Sequence, residues 1–305
     1  MDQVTVLAPA SVSNVVCGFD CLGFALVDPC DVVTVRRTDG RGITLSHNDN
    51  FDLPTEPEKN VAGVALQAMI GAAGLDHGFA VELTKRIKPG SGIGSSAASS
   101  CGAVVAANIL LGRPFTNEQL VRFAMEGERL ASGAKHADNV APCIFGGFTL
   151  VRSTDPLDVV SLRFHELFAT VIHPQIEIKT SHAREILPSE VPLKAAIEQW
   201  SNLGSLVAGL SSGDYPLIAR SLVDVIVEPV RSSLIPKFEK MKSAALAAGA
   251  LGGGISGSGP SVFMLSRTAD TASKVEQAMR HVFSPTGIEF LTYVGPISGD
   301  GVRQI

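Results

Sequence analysis

Two periodicities take turns along the chain. Phe79, Val81 and Leu83 alternate with Glu82 and Thr84, the period of two that predicts a half-buried strand over 79–87. Strands are also expected at 4–7 and 31–37. Val61, Val64, Ala65, Ala68 and Met69 recur at helical spacing and predict a helix over 60–73. Residues 95–111 are rich in Ala and Leu without Pro, so they predict a buried helix, stopped by Gly112-Arg113-Pro114. Asn117 is expected to cap a further helix running to about 131. Beyond it the pattern predicts strands at 146–151, 167–173, 261–265 and 289–294. Helices are expected at 181–187, 193–210, 215–226, 235–248 and 270–283. This order predicts an α+β chain of two domains, divided as 1–160 and 161–305, with no internal repeat.

Composition narrows the classes. Of 305 residues 45% are hydrophobic and 18% are charged, which excludes disorder. The net charge of −5 comes with no block of like charges, and both argue against nucleic acid as a partner. The five cysteines, Cys17, Cys21, Cys30, Cys101 and Cys143, contain no C-x-x-C, so neither a disulfide framework nor a zinc site is expected. The N-terminus, Met1-Asp2-Gln3-Val4-Thr5-Val6, lacks the basic and apolar regions of a signal peptide. A reducing cytoplasm is the expected compartment.

No charge occurs between Lys88 and Arg113, or between Lys242 and Arg267. Both gaps are long enough for a bilayer, but Gly, Ser and Pro runs would leave backbone groups unpaired in lipid, so no membrane span is expected. Instead the first gap sets Pro89-Gly90-Ser91-Gly92-Ile93-Gly94-Ser95-Ser96 between a strand and a helix. That is the layout of an anion cradle: glycine exposes backbone amides, and the helix N-terminus adds its positive dipole end. A plain glycine turn with a Ser cap is the competing reading. The chain contains no Gly-Lys dipeptide for a P-loop, and Gly90 and Gly92 do not continue as G-x-G-x-x-G. Gly252, Gly253, Gly254, Gly257 and Gly259 form a second cluster in the other uncharged gap.

The core Gly92-Ile93-Gly94-Ser95-Ser96-Ala97-Ala98, with Pro89 ahead of it, resembles the signature of the GHMP kinases, and the second glycine cluster resembles their C-terminal glycine turn. Three further segments resemble the homoserine kinase branch of that family: Ala8-Pro9-Ala10-Ser11-Val12-Ser13-Asn14 with Gly18-Phe19-Asp20, then 132–142 with Gly146-Gly147, then Ser181-His182-Ala183-Arg184-Glu185-Ile186-Leu187-Pro188. Val15-Val16-Cys17 departs from the family's usual Leu-Gly-Pro. The resemblance covers nearly the whole chain. It implies the two-domain GHMP fold: an N-terminal α/β domain with an atypical phosphate-binding loop, and a C-terminal ferredoxin-like α/β sandwich. It also implies ATP-dependent phosphorylation of L-homoserine with Mg²⁺, and a homodimer.

The implied site assigns nucleotide contacts to Asn60 and to Pro89, Gly90, Ser91, Gly92, Ile93, Gly94, Ser95, Ser96, Ala97, Ala98 and Ser99. It assigns Mg²⁺ to Ser96 and Glu128, and substrate contacts to Asn14, Asp20, Asn139, Arg184 and Arg231. Asn139, Thr180 and Arg184 are assigned to the transfer itself. The chemistry suits a zwitterionic alcohol, since Asp20 complements an ammonium and two arginines a carboxylate. Taken alone, Asn60 reads equally well as an N-cap, Glu128 as a solvated helix residue and Asp20 as a loop cap. Transfer without a general base is favoured, with Asp138 as the alternative base and His136 as a structural residue. Two other functions compete: a kinase of mevalonate-like substrates, and a non-catalytic nucleotide-binding regulator.

Overall fold

The structure is a computed structural model and describes residues 2–305; Met1, where the N-terminal reading begins, lies outside the described residues. In chain order the strands are β1 (Gln3–Ser13), β2 (Leu22–Thr38), β3 (Ile43–His47), β4 (Gly78–Thr84), β5 (Phe148–Thr154), β6 (Leu157–Leu162), β7 (Phe168–Pro174), β8 (Gly252–Ile255), β9 (Val262–Ser266), β10 (Phe290–Pro296) and β11 (Arg303–Gln304). The helices are α1 (Val61–Ala73), α2 (Ser95–Leu110), α3 (Asn117–Ser132), α4 (Val140–Phe145), α5 (Thr180–Glu185), α6 (Leu193–Ser212), α7 (Tyr215–Ser221), α8 (Glu228–Arg231), α9 (Phe238–Ala247) and α10 (Ala269–Phe283).

Seven strands make one sheet in the order β11-β1-β2-β4-β3, with β5 pairing the start of β2 and β6 pairing β5. Its inward residues, among them Val4, Val6, Val33, Val35, Phe79, Val81 and Leu83, pack against α1 to α4 in one core. The second sheet runs β10-β7-β9-β8, all antiparallel. Its strands alternate with helices as β-α-β-β-α-β, which is the ferredoxin-like arrangement expected. Another set of buried residues joins the sheets: the Phe24 and Phe148 rings lie tilted with centroids 5.0 Å apart, and Phe24 meets Phe263 of β9 edge-on at 5.6 Å.

Several boundaries depart from the sequence pattern for identifiable reasons. Thr116, not Asn117, caps α3, in a capping box with Gln119. The helix expected over 215–226 ends at Ser221. Beyond it the chain wraps the Asp224 carboxylate, which accepts the amides of Ile226, Val227 and Glu228 at 2.9 Å each. The start of the second glycine cluster is a strand, not a turn, since Gly252, Gly253 and Gly254 pair with β9. The division expected at residue 160 falls inside β6, and Arg303–Gln304 return to pair with β1, so one cut does not separate the two sheets. No helix among the described residues is long and apolar enough to cross a membrane.

Candidate active site

α2 is buried on nearly every side, which its Ala, Ser and Gly content allows, and its N-terminus opens on a cleft of about 380 Å³. Gly94 caps it in the left-handed region at φ 71°. A side chain there would strike the Ser11 hydroxyl and come within 3.1 Å of the Asn139 amide oxygen, so glycine is required twice over. Gly92 sits at φ 79° with its Cα against the second glycine cluster. Ser256 Oγ donates to Gly92 O at 2.7 Å, and Ser261 Oγ to Ser91 O at 2.6 Å. The two uncharged stretches therefore meet, and the second holds the first in place.

A buried lysine that sequence reasoning passed over closes the loop from below. Lys85 pairs with Asp31 and donates to Ser95 O and Ser99 Oγ, both at 2.8 Å. The other oxygen of Asp31 accepts the amides of Arg86 and Ile87. Ser95 Oγ is spent on Ile87 O at 2.8 Å. The Lys85–Asp31 pair thus braces both ends of the loop, Lys85 at Ser95 and Ser99 and Asp31 at Arg86 and Ile87. Its signal was present as a lysine at the end of an apolar strand, but the partner Asp31 is far away in sequence.

The loop residues Pro89, Gly90, Ser91, Gly92, Gly94, Ser95, Ser96 and Ser99 line the cleft. Ile93, Ala97 and Ala98 do not; they are wholly buried in the two cores and hold α2 in place. Asn60 is not in the lining either. Its side chain accepts from Ala62 N at 3.0 Å and donates to Pro54 O at 2.7 Å, so it caps α1 and ties down the preceding segment. The neighbouring Val61 and Leu53 face the cleft.

Glu128 of α3 is buried beside Ser96, not solvated. Burial pushes its carboxyl up to about 7, against the opposing pull of the Ser96 hydrogen bond. Its Oε1 has no hydrogen-bond partner. A buried carboxylate oxygen left bare beside a hydroxyl fits a hard divalent cation such as Mg²⁺. Asp138 is buried too, and desolvation with the nearby Asp20 charge raises it to about 6.

The opposite wall carries the remaining residues. Asn14 donates to Gly257 O at 2.8 Å and accepts from Asp20 N at 3.0 Å. Asn139 accepts from Ser11 Oγ at 2.8 Å and donates to Ser13 Oγ at 2.9 Å, which leaves one amide hydrogen for a ligand. Thr180 and Ser258 face each other at 3.4 Å. Arg184 is ion-paired to Asp20, and His136 stands near both, 3.7 Å from Asp20 and 3.5 Å from Arg184. Arg231 is buried, donating to Ala183 O at 2.7 Å and Gly257 O at 3.3 Å, and burial lowers its pKa. Apart from Asn60, Ile93, Ala97 and Ala98, the residues expected from sequence converge on this one cleft. His136, expected to be structural, and Phe19 and Lys85, which were not expected, lie there as well.

The chain resembles known proteins over its full length. The GHMP kinases N terminal domain matches residues 60–147, and the GHMP kinases C terminal domain matches 193–285. The homoserine kinase of Chloroherpeton thalassium is 48% identical over 99% of both chains, and that of Xanthomonas campestris is 40% identical over 99% of this chain and 94% of its own. The crystal structure of homoserine kinase from Cytophaga hutchinsonii superposes with a TM-score of 0.96 at 49% identity, over 100% of this chain and 98% of the other. Leishmania major mevalonate kinase shares the fold alone, at a TM-score of 0.68 and 16% identity over 94% of each chain. With a glycine loop at a helix N-terminus, a second glycine segment closing on it, and both domain patterns in order, the chain belongs to the GHMP kinases, ATP-dependent kinases of small molecules.

Proposed function

We propose that the protein is a homoserine kinase, transferring the γ-phosphoryl group of ATP to the hydroxyl of L-homoserine and so serving threonine biosynthesis. The observation that carries this reading is the pairing, on one wall of the cleft, of one carboxylate with two guanidiniums: Asp20 with Arg184 and Arg231. An amino acid offers an ammonium to the first and a carboxylate to the others. Mevalonate has no ammonium, so on that substrate Asp20 would gain no partner. The relatives at 40 to 48% identity are homoserine kinases, which favours the same substrate.

In this reading the amides of 90–96 receive the phosphates of ATP, supported from behind by Lys85 and from the side by Ser256 and Ser261. Ser96 and Glu128 would hold Mg²⁺, which supplies charge neutralisation for the polyphosphate. Asn14 fixes the turn that presents Asp20. Asn139, with its free amide hydrogen, orients the substrate hydroxyl, and Thr180 donates to the transferring group. Transfer of this kind depends on positioning and charge stabilisation more than on covalent help. The hydroxyl proton leaves late in the step, to an oxygen of the transferred phosphoryl group. One observation favours a second reading: Asp138 lines the cleft with a carboxyl near 6, a suitable value for a general base. Asp138→Asn separates the two, since a true base costs on the order of 10²–10⁴ in kcat with ligand binding intact.

The reading as a whole is tested by ADP release with L-homoserine, L-threonine, L-serine and mevalonate. Turnover with L-homoserine is the expected result. Bound ATP with no turnover on any of the four would sink the kinase assignment in favour of a regulator. We further assign the protein to the cytoplasm, as a homodimer with L-homoserine as its small-molecule partner.

A further inference from the structure

Phe19 is the only phenylalanine, tyrosine or tryptophan lining the cleft among the described residues. Both guanidiniums of the opposite wall stand over its ring, Arg231 at 5.0 Å from the centroid and Arg184 at 5.5 Å. The backbone presents this ring at a cost. Asn14, Val15, Val16 and Asp20, none of them glycine, adopt positive φ of 71°, 37°, 63° and 59°. For Val15 and Val16 this costs roughly 1–2 kcal/mol each, while Asn14 and Asp20 are of types that enter the left-handed region readily. The Asn14 side chain then locks the turn through Asp20 N and Gly257 O.

Two like charges in one wall repel, and something must hold them together before an anion arrives. Arg231 is fixed by two backbone carbonyls, whereas Arg184 has a half-exposed side chain held by Asp20. Asp20 is also the group that the proposed function assigns to the substrate ammonium. Once the ammonium claims Asp20, Arg184 keeps its contact with His136 Nε2 at 3.5 Å, but the contact it shares with Arg231 is the negative face of the Phe19 ring.

We propose that Phe19 is a positioning residue for substrate specificity: its ring gathers Arg184 and Arg231 into one receptor for the substrate carboxylate. This rests on the assignment of those arginines to the carboxylate of an amino-acid substrate. The ring makes the two guanidiniums a preformed pair, so the entropy of gathering them is not charged to binding. The selectivity that results is for substrates carrying the carboxylate, and the nucleotide side of the cleft is untouched.

The test replaces Phe19 with its mono-, di- and trifluorinated analogues, which weaken the ring's negative face stepwise with little change in size. The KM for L-homoserine is expected to climb along the series to roughly tenfold, the combined value of two partly exposed cation–π contacts. The KM for ATP, and kcat/KM for 3-aminopropan-1-ol, which lacks the carboxylate, are expected to stay level across the series. Phe19→Leu, which fills space without a π-face, is expected to match or exceed the trifluoro variant. A level KM for L-homoserine across the fluorinated series overturns the proposal, even if Phe19→Leu is impaired, because the ring would then only fill space. Failure of the homoserine reading is a different result: the unmodified protein would not turn over L-homoserine at all.

Discussion

The two glycine clusters share a composition and differ in what the missing side chain does. In the first, Gly90, Gly92 and Gly94 all hold positive φ between 71° and 79° and line an open cleft. In the second, Gly253 and Gly254 lie in an ordinary strand and need no special torsion. A side chain at Gly253 would collide with the carbonyl of Phe263 on the paired strand, and one at Gly254 with the Glu228 carboxylate. At Gly253 and Gly254 glycine only lets neighbours approach, whereas Gly257 and Gly259, at φ 58° and 82°, bend the backbone as the loop glycines do. Only the end of the second cluster, from Ser256 to Ser261, reaches the first, through two serine hydroxyls. Glycine excess alone therefore says little about chemistry until the backbone torsions are known.

The largest effect expected from that difference is at Gly92. A Cβ there would stand 2.6 Å from Gly259 O and 2.8 Å from Ser256 O, at a φ that L-residues resist. Gly92→Ala is expected to cut kcat/KM for ATP by roughly 100-fold or more, from overpacking plus left-handed strain. Gly253→Ala meets backbone more closely still, at 2.0 Å from Phe263 O, but outside the cleft. Its expected cost is in stability, a fall in melting temperature of roughly 5–10 °C, with the KM for ATP unchanged. Comparable damage to ATP binding from both variants would show that the two clusters act as one unit.

Each cluster also has its own buried carboxylate. Glu128 beside the first has its carboxyl pushed up to about 7 from an ordinary 4.5. The folded protein therefore holds that proton more tightly than the unfolded chain does. Its contribution favours folding below pH 4.5 and is lost as pH rises through 7, a total of about 3 kcal/mol. Urea unfolding of the metal-free protein at pH 5 and pH 8 should show this decline. Mg²⁺ should oppose it at pH 8, and Glu128→Gln should flatten the profile while abolishing turnover. Glu228, packed against Gly254, is also raised by burial but is ion-paired with Lys242. Glu228→Gln is expected to lose stability at pH 8, because Lys242 is left without its partner, and to keep its kcat. A Glu128→Gln protein that retained turnover would remove the metal from the first cluster.

Legibility followed the same line. Helices with a strong apolar stripe or a run of Ala, such as α1, α2 and α10, could be placed to within a residue or so, because their signal is local. The ion pair of Lys85 with Asp31 could not, since 54 residues separate the partners and only the sheet brings them together. β8 was hidden because a run of glycines carries no alternation, and its strand character comes entirely from pairing with β9. In the cleft the polar residues were legible as chemistry, and Arg184, Arg231 and Asp20 all line it. Ile93, Ala97 and Ala98 were legible only as motif, and a motif residue serves packing as readily as contact. Phe19 escaped notice because an aromatic residue in a loop has no charge to suggest a role.

A smaller effect isolates the link between the clusters. Removing both serine hydroxyls in Ser256→Ala/Ser261→Ala deletes the bonds to Gly92 O and Ser91 O without touching the amides themselves. At about 1 kcal/mol for each hydrogen bond, the KM for ATP is expected to rise by up to roughly 30-fold. The KM for L-homoserine should hold steady, since the arginine wall does not use these serines. An equal rise in both constants would mean that the second cluster shapes the whole cleft and not the cradle alone.

The smallest effect marks where the first region ends. Asn60 adjoins the cleft-facing Val61, yet its own oxygen is committed to Ala62 N and its amide to Pro54 O. A side chain so engaged is a helix cap, worth about 1 kcal/mol of stability on replacement by alanine. Asn60→Ala is therefore expected to lower the melting temperature by roughly 2–4 °C while the KM for ATP stays the same. Asn60→Ser, which keeps a capping oxygen, should recover most of that loss. A rise in the KM for ATP in Asn60→Ala that serine does not repair would instead make Asn60 a nucleotide contact, and the cradle would then extend past the glycine loop to the start of α1.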